Sequence, residues 1–113
     1  MRYILIHCVG DEFEGHPELS PELESSMTNW LAETTGAGTR PDGGRLQAAR
    51  RAKTVRVRDG QVLVTDGPFA ETKEQVAGYD IVECADLDEA LDLASRHPTA
   101  VIGTIEIRPF VQE

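Results

Sequence analysis

Cysteine is scarce in this sequence, and the two present exclude several classes of protein. Cys8 and Cys84 are the only cysteines among 113 residues. They make no CxxC or similar metal spacing and no disulfide framework, and each reads as a small buried side chain inside an apolar stretch. Positive charge is also in short supply: 11 Lys and Arg stand against 20 Asp and Glu, for a formal net charge of −9. Neutralising a phosphate backbone needs an extended basic field, so no nucleic-acid partner is expected. No run approaches ~18 consecutive apolar residues, so no membrane span is expected. Neither GxGxxG nor GxxxxGK occurs, nor a nucleophile elbow, which argues against nucleotide hydrolysis and serine hydrolase chemistry. His7, His16 and His97 are widely dispersed, with no HxxxH or HxH spacing, so no metal site and no cofactor is expected.

What is present reads as one globular unit. At 12.4 kDa the chain has the mass of a single domain, and a domain of this size removes roughly two-thirds of its unfolded surface from water. There is no repeat, low-complexity tract or linker, so residues 1–113 are taken together. Met1 to Val9 is too short for a secretory signal and lacks its cleavage site; it reads as the first strand, Arg2 to Val9, of a cytoplasmic protein. Ser20 is a helix cap and Pro21 a first helical residue, with Leu23, Met27, Trp30 and Leu31 along one face. The helix ends at Gly36-Ala37-Gly38, and Pro41 to Gly44 reads as a turn.

Asp59-Gly60, between two alternating runs, asks for a two-residue type I′ hairpin. That register pairs Val57 with Val62 and Val55 with Val64 on a face expected to be dry, and puts Arg56 and Arg58 on the other. Val76 to Cys84 reads as a further strand, broken by Gly78. Asp86 caps a second helix in a capping-box-like arrangement with Glu89, and Leu87, Ala90, Leu91 and Ala94 form its apolar stripe. Pro98 stops that helix, and Val101 to Arg108 reads as the last strand. The order is that of a split βαβ, ferredoxin-like α+β fold with an inserted β-hairpin and both helices on one side of the sheet. One sheet face is then bare, so a homodimer is expected, with the open faces packed together as a dimeric α+β barrel.

The segment Val64-Thr65-Asp66-Gly67-Pro68-Phe69-Ala70-Glu71-Thr72-Lys73-Glu74-Gln75, followed by Gly78-Tyr79 and Asp86-Leu87-Asp88-Glu89-Ala90, resembles the YCII-related family, in its DGPF-domain branch. The likeness runs from Arg2-Tyr3-Ile4-Leu5-Ile6 to Glu106-Ile107-Arg108-Pro109-Phe110. It implies a ferredoxin-like, dimeric α+β barrel. Members of the wider family resemble muconolactone isomerase and small dehydrochlorinases, and the shorter branch has a His/Asp pair proposed as its acid/base site, the histidine lying on or beside the first helix. Ser20 to Thr35 contains no histidine, so that pair does not transfer. Other DGPF proteins occur near or fused to sigma factors, which implies the alternative of a non-enzymatic sensor or partner module.

Two residues stand out as acid/base candidates. Asp66 leaves a strand end in a direction fixed by Pro68. Beside Phe69 it is either a desolvated base or the cap of an Asx turn over a core-filling ring. His7, on the first strand with Tyr3 and Leu5, titrates near neutrality and is either the proton-transfer group or a satisfied core histidine. His16 and His97 read as structural or solvent-facing. Phe69, Glu71, Lys73, Arg56 and Arg58 are candidate ligand-binding residues. For the charged ones the alternatives are a solvated run and protection of a sheet edge. The expected function is small-molecule binding in a cleft of the dimer, with cofactor-free isomerisation or elimination as the chemistry if the protein is an enzyme.

Overall fold

A computed structural model describes residues 1–10, 13, 17–70 and 72–112. His16 and Glu71, both named above, lie outside the described residues.

Strand β1 (Arg2–Gly10) alternates strictly, with Tyr3, Leu5, His7 and Val9 buried and the residues between them partly exposed. Its period of two therefore turns one face to the core along its whole length. Helix α1 (Pro21–Gly36) starts as expected: the Ser20 side chain accepts the Leu23 N–H at 3.3 Å and Pro21 opens the first turn. Strand β2 (Asp42–Arg45) follows, then a short 3₁₀ turn at Ala49–Arg51. Strands β3 (Lys53–Arg58) and β4 (Gln61–Asp66) form the hairpin. Strand β5 (Glu74–Glu83), helices α2 (Leu87–Ser95) and α3 (Thr99–Ile102), and strand β6 (Thr104–Pro109) complete the chain.

The main sheet has the order β2-β5-β1-β6 and every pair in it is antiparallel. This is the ferredoxin-like split βαβ arrangement. The core lies between the sheet and the helices: Tyr3, Leu5, Val82 and Cys84 from the strands meet Trp30, Ala90, Leu93 and Ala94, with Ile105 and Ile107 packed alongside. Trp30 is pinned in it, its indole N–H donating to the Leu93 carbonyl at 2.9 Å. The α2 stripe is rotated from expectation, because Leu93 is buried while Leu87 and Leu91 are half exposed. The cap is as expected, the Asp86 carboxylate accepting the Glu89 N–H at 2.9 Å, while the Glu89 carboxylate reaches the Ala85 N–H at 3.2 Å.

Three expectations are corrected. Asp42-Gly43-Gly44-Arg45 is a strand and not a turn; glycine lowers its strand propensity, but pairing with β5 supplies the ladder that local preference lacks. Val101 and Ile102 belong to α3, because Pro98 both ends α2 and begins a single further helical turn. The hairpin register is as expected, Val57 facing Val62 and Val55 facing Val64, with positive φ at Asp59 (51°) and Gly60 (74°). Its valine face is nevertheless exposed, at 57–66%, because β3 and β4 form a separate two-stranded sheet that is not laid on the main one.

Where α3 leads into β6 the backbone crosses β1 closely enough that a Cβ on Gly103 would collide with the Cys8 carbonyl oxygen. Gly103→Ala should therefore lower unfolding stability by about 1–3 kcal/mol, whereas Val101→Ala, exposed on α3, should stay within about 0.5 kcal/mol. Urea denaturation of both variants checks this.

Candidate functional site

The side chains on the buried face of β1 and β5 are apolar except at one position on each strand. There His7 of β1 and Asp80 of β5 share the face with Leu5 and Val82, since Leu5 stands opposite Asp80 and His7 opposite Gly78. His7 and Asp80 are thus diagonal neighbours across two paired strands, close enough for side chains to meet. His7 Nε2 lies 2.6 Å from Asp80 Oδ2, with both residues buried. The other carboxylate oxygen, Oδ1, accepts the Nε–H of Arg40 at 2.5 Å. Arg40 is carried there by the end of α1, where its backbone N–H and that of Thr39 both bond to the Thr34 carbonyl. Its guanidinium crosses β2 at Gly43, where any Cβ would strike Asp80 Oδ1 and the guanidinium itself. A glycine in this strand, poor for local propensity, is what lets the ion pair form.

His97 completes the cluster. Its ring stacks on that of His7, with centroids 4.2 Å apart and 30° between planes, and meets Trp30 edge-on at 4.7 Å. The turn at Pro98 brings the Thr99 N–H back onto His97 Nδ1 at 3.0 Å. An Nδ1 that accepts a backbone N–H carries a lone pair, so the ring proton of neutral His97 is on Nε2. Burial is the largest force pushing His97 down, to about 4; charge on His7 and Arg40 acts the same way and Asp80 opposes it. Burial alone would raise the Asp80 carboxyl, but hydrogen bonds from His7 and Arg40, and their charges, hold it below the usual carboxylate range. Of the two alternatives read for His97, structural or solvent-facing, the structure takes the first: the residue is 4% exposed. The sequence signal for this placement is the His-Pro pair, whose turn returns the Thr99 N–H to the ring.

These groups line a cavity of about 420 Å³, whose other walls include Val9, Leu19, Met27, Leu31, Tyr79 and Ile102. Ligand atoms of His7, Asp80 and His97 all lie within 4.8 Å of one another, near enough to suggest a metal centre. The hydrogen bonding speaks against that use. His97 Nε2 holds the ring proton and Asp80 is already shared between Arg40 and His7, so two of the three ligands would have to give up existing partners.

Of the residues singled out from the sequence, His7 lines this cavity and Asp66 does not. Asp66 sits on the hairpin with its side chain 85% exposed and ion-paired to Lys53. The two candidates for one acid/base pair are therefore not brought together, because the hairpin stands apart from the main sheet. Phe69, expected either to desolvate Asp66 or to fill the core, is 76% exposed and lies beneath Arg56, 4.9 Å from its ring centroid. Arg58 bonds to the adjacent Val57 carbonyl, and Lys73 is exposed in the loop before β5. Asp80, which does face His7, had a readable signal: an acid in step with Gly78 and Val82 on the inward parity of an apolar strand.

Because His97 is protonated more readily in the unfolded chain, near 6.5, than in the folded one, near 4, unfolding takes up a proton between those values. Stability should fall on acidification from pH 6.5 to 4, by on the order of 3 kcal/mol. Protonation of Asp80 adds a further loss below that window. His97→Phe should flatten the pH 6.5 to 4 slope in chemical denaturation experiments, leaving the more acidic loss in place.

The YCII-related domain matches residues 1–113. An uncharacterised protein of Rhizobium meliloti (strain 1021) is 46% identical over 70 residues, 58% of this chain and 55% of that protein, so the match spans about half the length of this relative. Among solved structures, 5-chloro-2-hydroxyhydroquinone dehydrochlorinase from Burkholderia phenoliruptrix AC1100, in complex with 2,5-dihydroxybenzoquinone, has a TM-score of 0.49 and 11% identity, covering 100% of this chain and 96% of that one. At that level of likeness it says nothing of this chain's chemistry. The family match runs from the first residue to the last and agrees with the order of strands and helices: the chain belongs to the YCII-related family.

Proposed function

We propose that this protein acts on a small molecule by cofactor-free proton transfer, with His7 as the acid/base group and Asp80 as the carboxylate that orients it. The observation that carries the reading is the 2.6 Å contact of His7 Nε2 with Asp80 Oδ2 at the wall of a cavity, together with a buried His7 Nδ1 that has no hydrogen-bond partner among the described residues. With Nε2–H committed to a carboxylate, Nδ1 is the nitrogen left to take up or release a proton. A buried polar atom without a partner costs about 1–3 kcal/mol, and a ligand atom bonded to it removes that cost. The carboxylate both fixes the tautomer and stabilises the imidazolium formed when Nδ1 accepts a proton. Isomerisation or elimination by removal of an acidic C–H fits such a group; the fold itself favours no particular reaction.

The proposal extends to assembly. Ile4, Ile6 and Ile81 lie on the sheet face that carries no helix and are only partly covered within one chain. Two copies packed through that face would cover them. Sedimentation equilibrium at micromolar concentration should then give about 25 kDa, twice the chain mass; a monomer removes this part of the proposal without touching the dyad.

The chemistry is tested by deuterium exchange into small carbon acids (γ-lactones, 1,3-diketones and hydroxyquinones) followed by proton NMR. Catalysed exchange into at least one of them should fall by roughly 100-fold or more in His7→Asn, the usual range for losing a general base. Asp66→Asn, remote from the cavity, should leave it unchanged. Exchange that is absent from the whole panel, or that persists in His7→Asn, contradicts the reading.

A further inference from the structure

Charge is distributed in the cavity in a way that the acid/base dyad does not require. The chain as a whole carries a net charge of −9, yet among the described residues lining the cavity the only acid is Asp80, against two guanidinium groups, Arg40 and Arg45. His97 is neutral above about pH 4 and does not alter the balance at neutral pH. The single carboxylate is thus outnumbered, and an acidic protein has a pocket whose fixed charge is positive.

Arg40 is also only partly used. Its Nε–H bonds to Asp80 Oδ1, and among the described residues its two terminal nitrogens have no hydrogen-bond partner. A guanidinium that grips a carboxylate with both prongs is fully engaged; one held by Nε alone keeps its outer edge for a second oxyanion. Arg45, at the end of β2 where it pairs with Gly78, is exposed at the same cavity and has no ion pair among the described residues. The opposite walls, formed by Leu19, Met27, Leu31 and Ile102, offer no charge at all. The volume of about 420 Å³ has room for roughly a dozen non-hydrogen atoms at about 30 Å³ each.

We infer that the ligand is a small organic monoanion with an apolar body, its carboxylate or ring-borne oxyanion held by the outer edge of Arg40 with Arg45 beside it. The apolar body then lies against Met27 and Leu31, with the reacting C–H toward His7. This names the ligand class for the proton-transfer site proposed above and rests on that reading only for the orientation toward His7. The anchor itself stands on the two arginines. Asp80 accordingly has two roles at one place: one oxygen orients the base and the other positions the anion-binding guanidinium.

The test compares butyrate, cyclohexanecarboxylate and benzoate with their neutral amides. Binding is read from the fluorescence of Trp30, the sole tryptophan, whose ring contacts the cavity residue His97. At least one carboxylate should bind about tenfold or more tighter than its amide, the value of one charge-assisted hydrogen-bonded contact. Arg40→Gln should abolish that preference and Arg40→Lys should keep part of it. Arg45→Gln, at an exposed position outside the core, should reduce the preference by about threefold and serves as the deciding variant if Arg40→Gln does not fold. Amides that bind as well as carboxylates, no saturable binding of any probe, or a preference unchanged in Arg45→Gln and in a folded Arg40→Gln would each overturn the inference. The two readings fail separately: loss of anion preference with His7-dependent exchange intact removes the anchor alone. Anion preference without exchange removes the acid/base chemistry alone.

Discussion

The site depends on one buried carboxylate having two partners. Asp80 lies in the interior half of a sheet, where an unpaired charge would not be tolerated, and it stays ionised because His7 and Arg40 each take one of its oxygens. Each partner in turn is placed by a different element. His7 arrives by the alternation of β1, Arg40 by the hydrogen-bonded end of α1, and the space between them is kept open by Gly43 of β2. Removal of any one of these leaves a buried charge or a blocked contact, so the three elements that frame the cavity are coupled through a single side chain.

The same arrangement accounts for the contrast between the two stacked histidines. His97 is fixed as a neutral ring by the Thr99 N–H and by burial, and it forms a wall against His7 on one side and Trp30 on the other. His7 is tied to a carboxylate through one nitrogen and has no hydrogen-bond partner on the other among the described residues. Two rings of identical chemistry are therefore held differently, and the acid/base role proposed above falls to the one whose Nδ1 has no partner among the described residues. Their environments differ in hydrogen bonding far more than in depth, since both are buried.

Much of this fold was legible from local chemistry. Ser20 before Pro21, Asp86 three residues before Glu89, and Asp59-Gly60 between alternating valines each state a cap or a turn with its own mechanism, and each occurs where it was read. The inward position of His7 followed from the alternation of β1. What could not be read locally was pairing over long separations. Gly43 and Gly44 look like a turn until β5 supplies their ladder, and Val101 and Ile102 look like strand although the Pro98 that ends α2 also begins a further helical turn. The DGPF segment drew attention to Asp66 by its unusual composition, yet composition says nothing of where a hairpin is carried. The partner that His7 does meet, Asp80, was visible only as an acid on the inward parity of an apolar strand, a signal that gains meaning once the adjacent strand is known to be β1.

The most direct test of the two-partner carboxylate is a long-range ¹H–¹⁵N NMR spectrum of the imidazole rings at neutral pH. The geometry requires His7 to hold a proton on Nε2, shifted far downfield by its short bond to Asp80 and protected from solvent exchange. It also requires His97 to be the neutral Nε2–H form. A His7 Nε2 without a proton, or a His7 signal averaged by rapid exchange with water, would mean that Asp80 does not hold the ring, and the account of the site would be wrong at its centre.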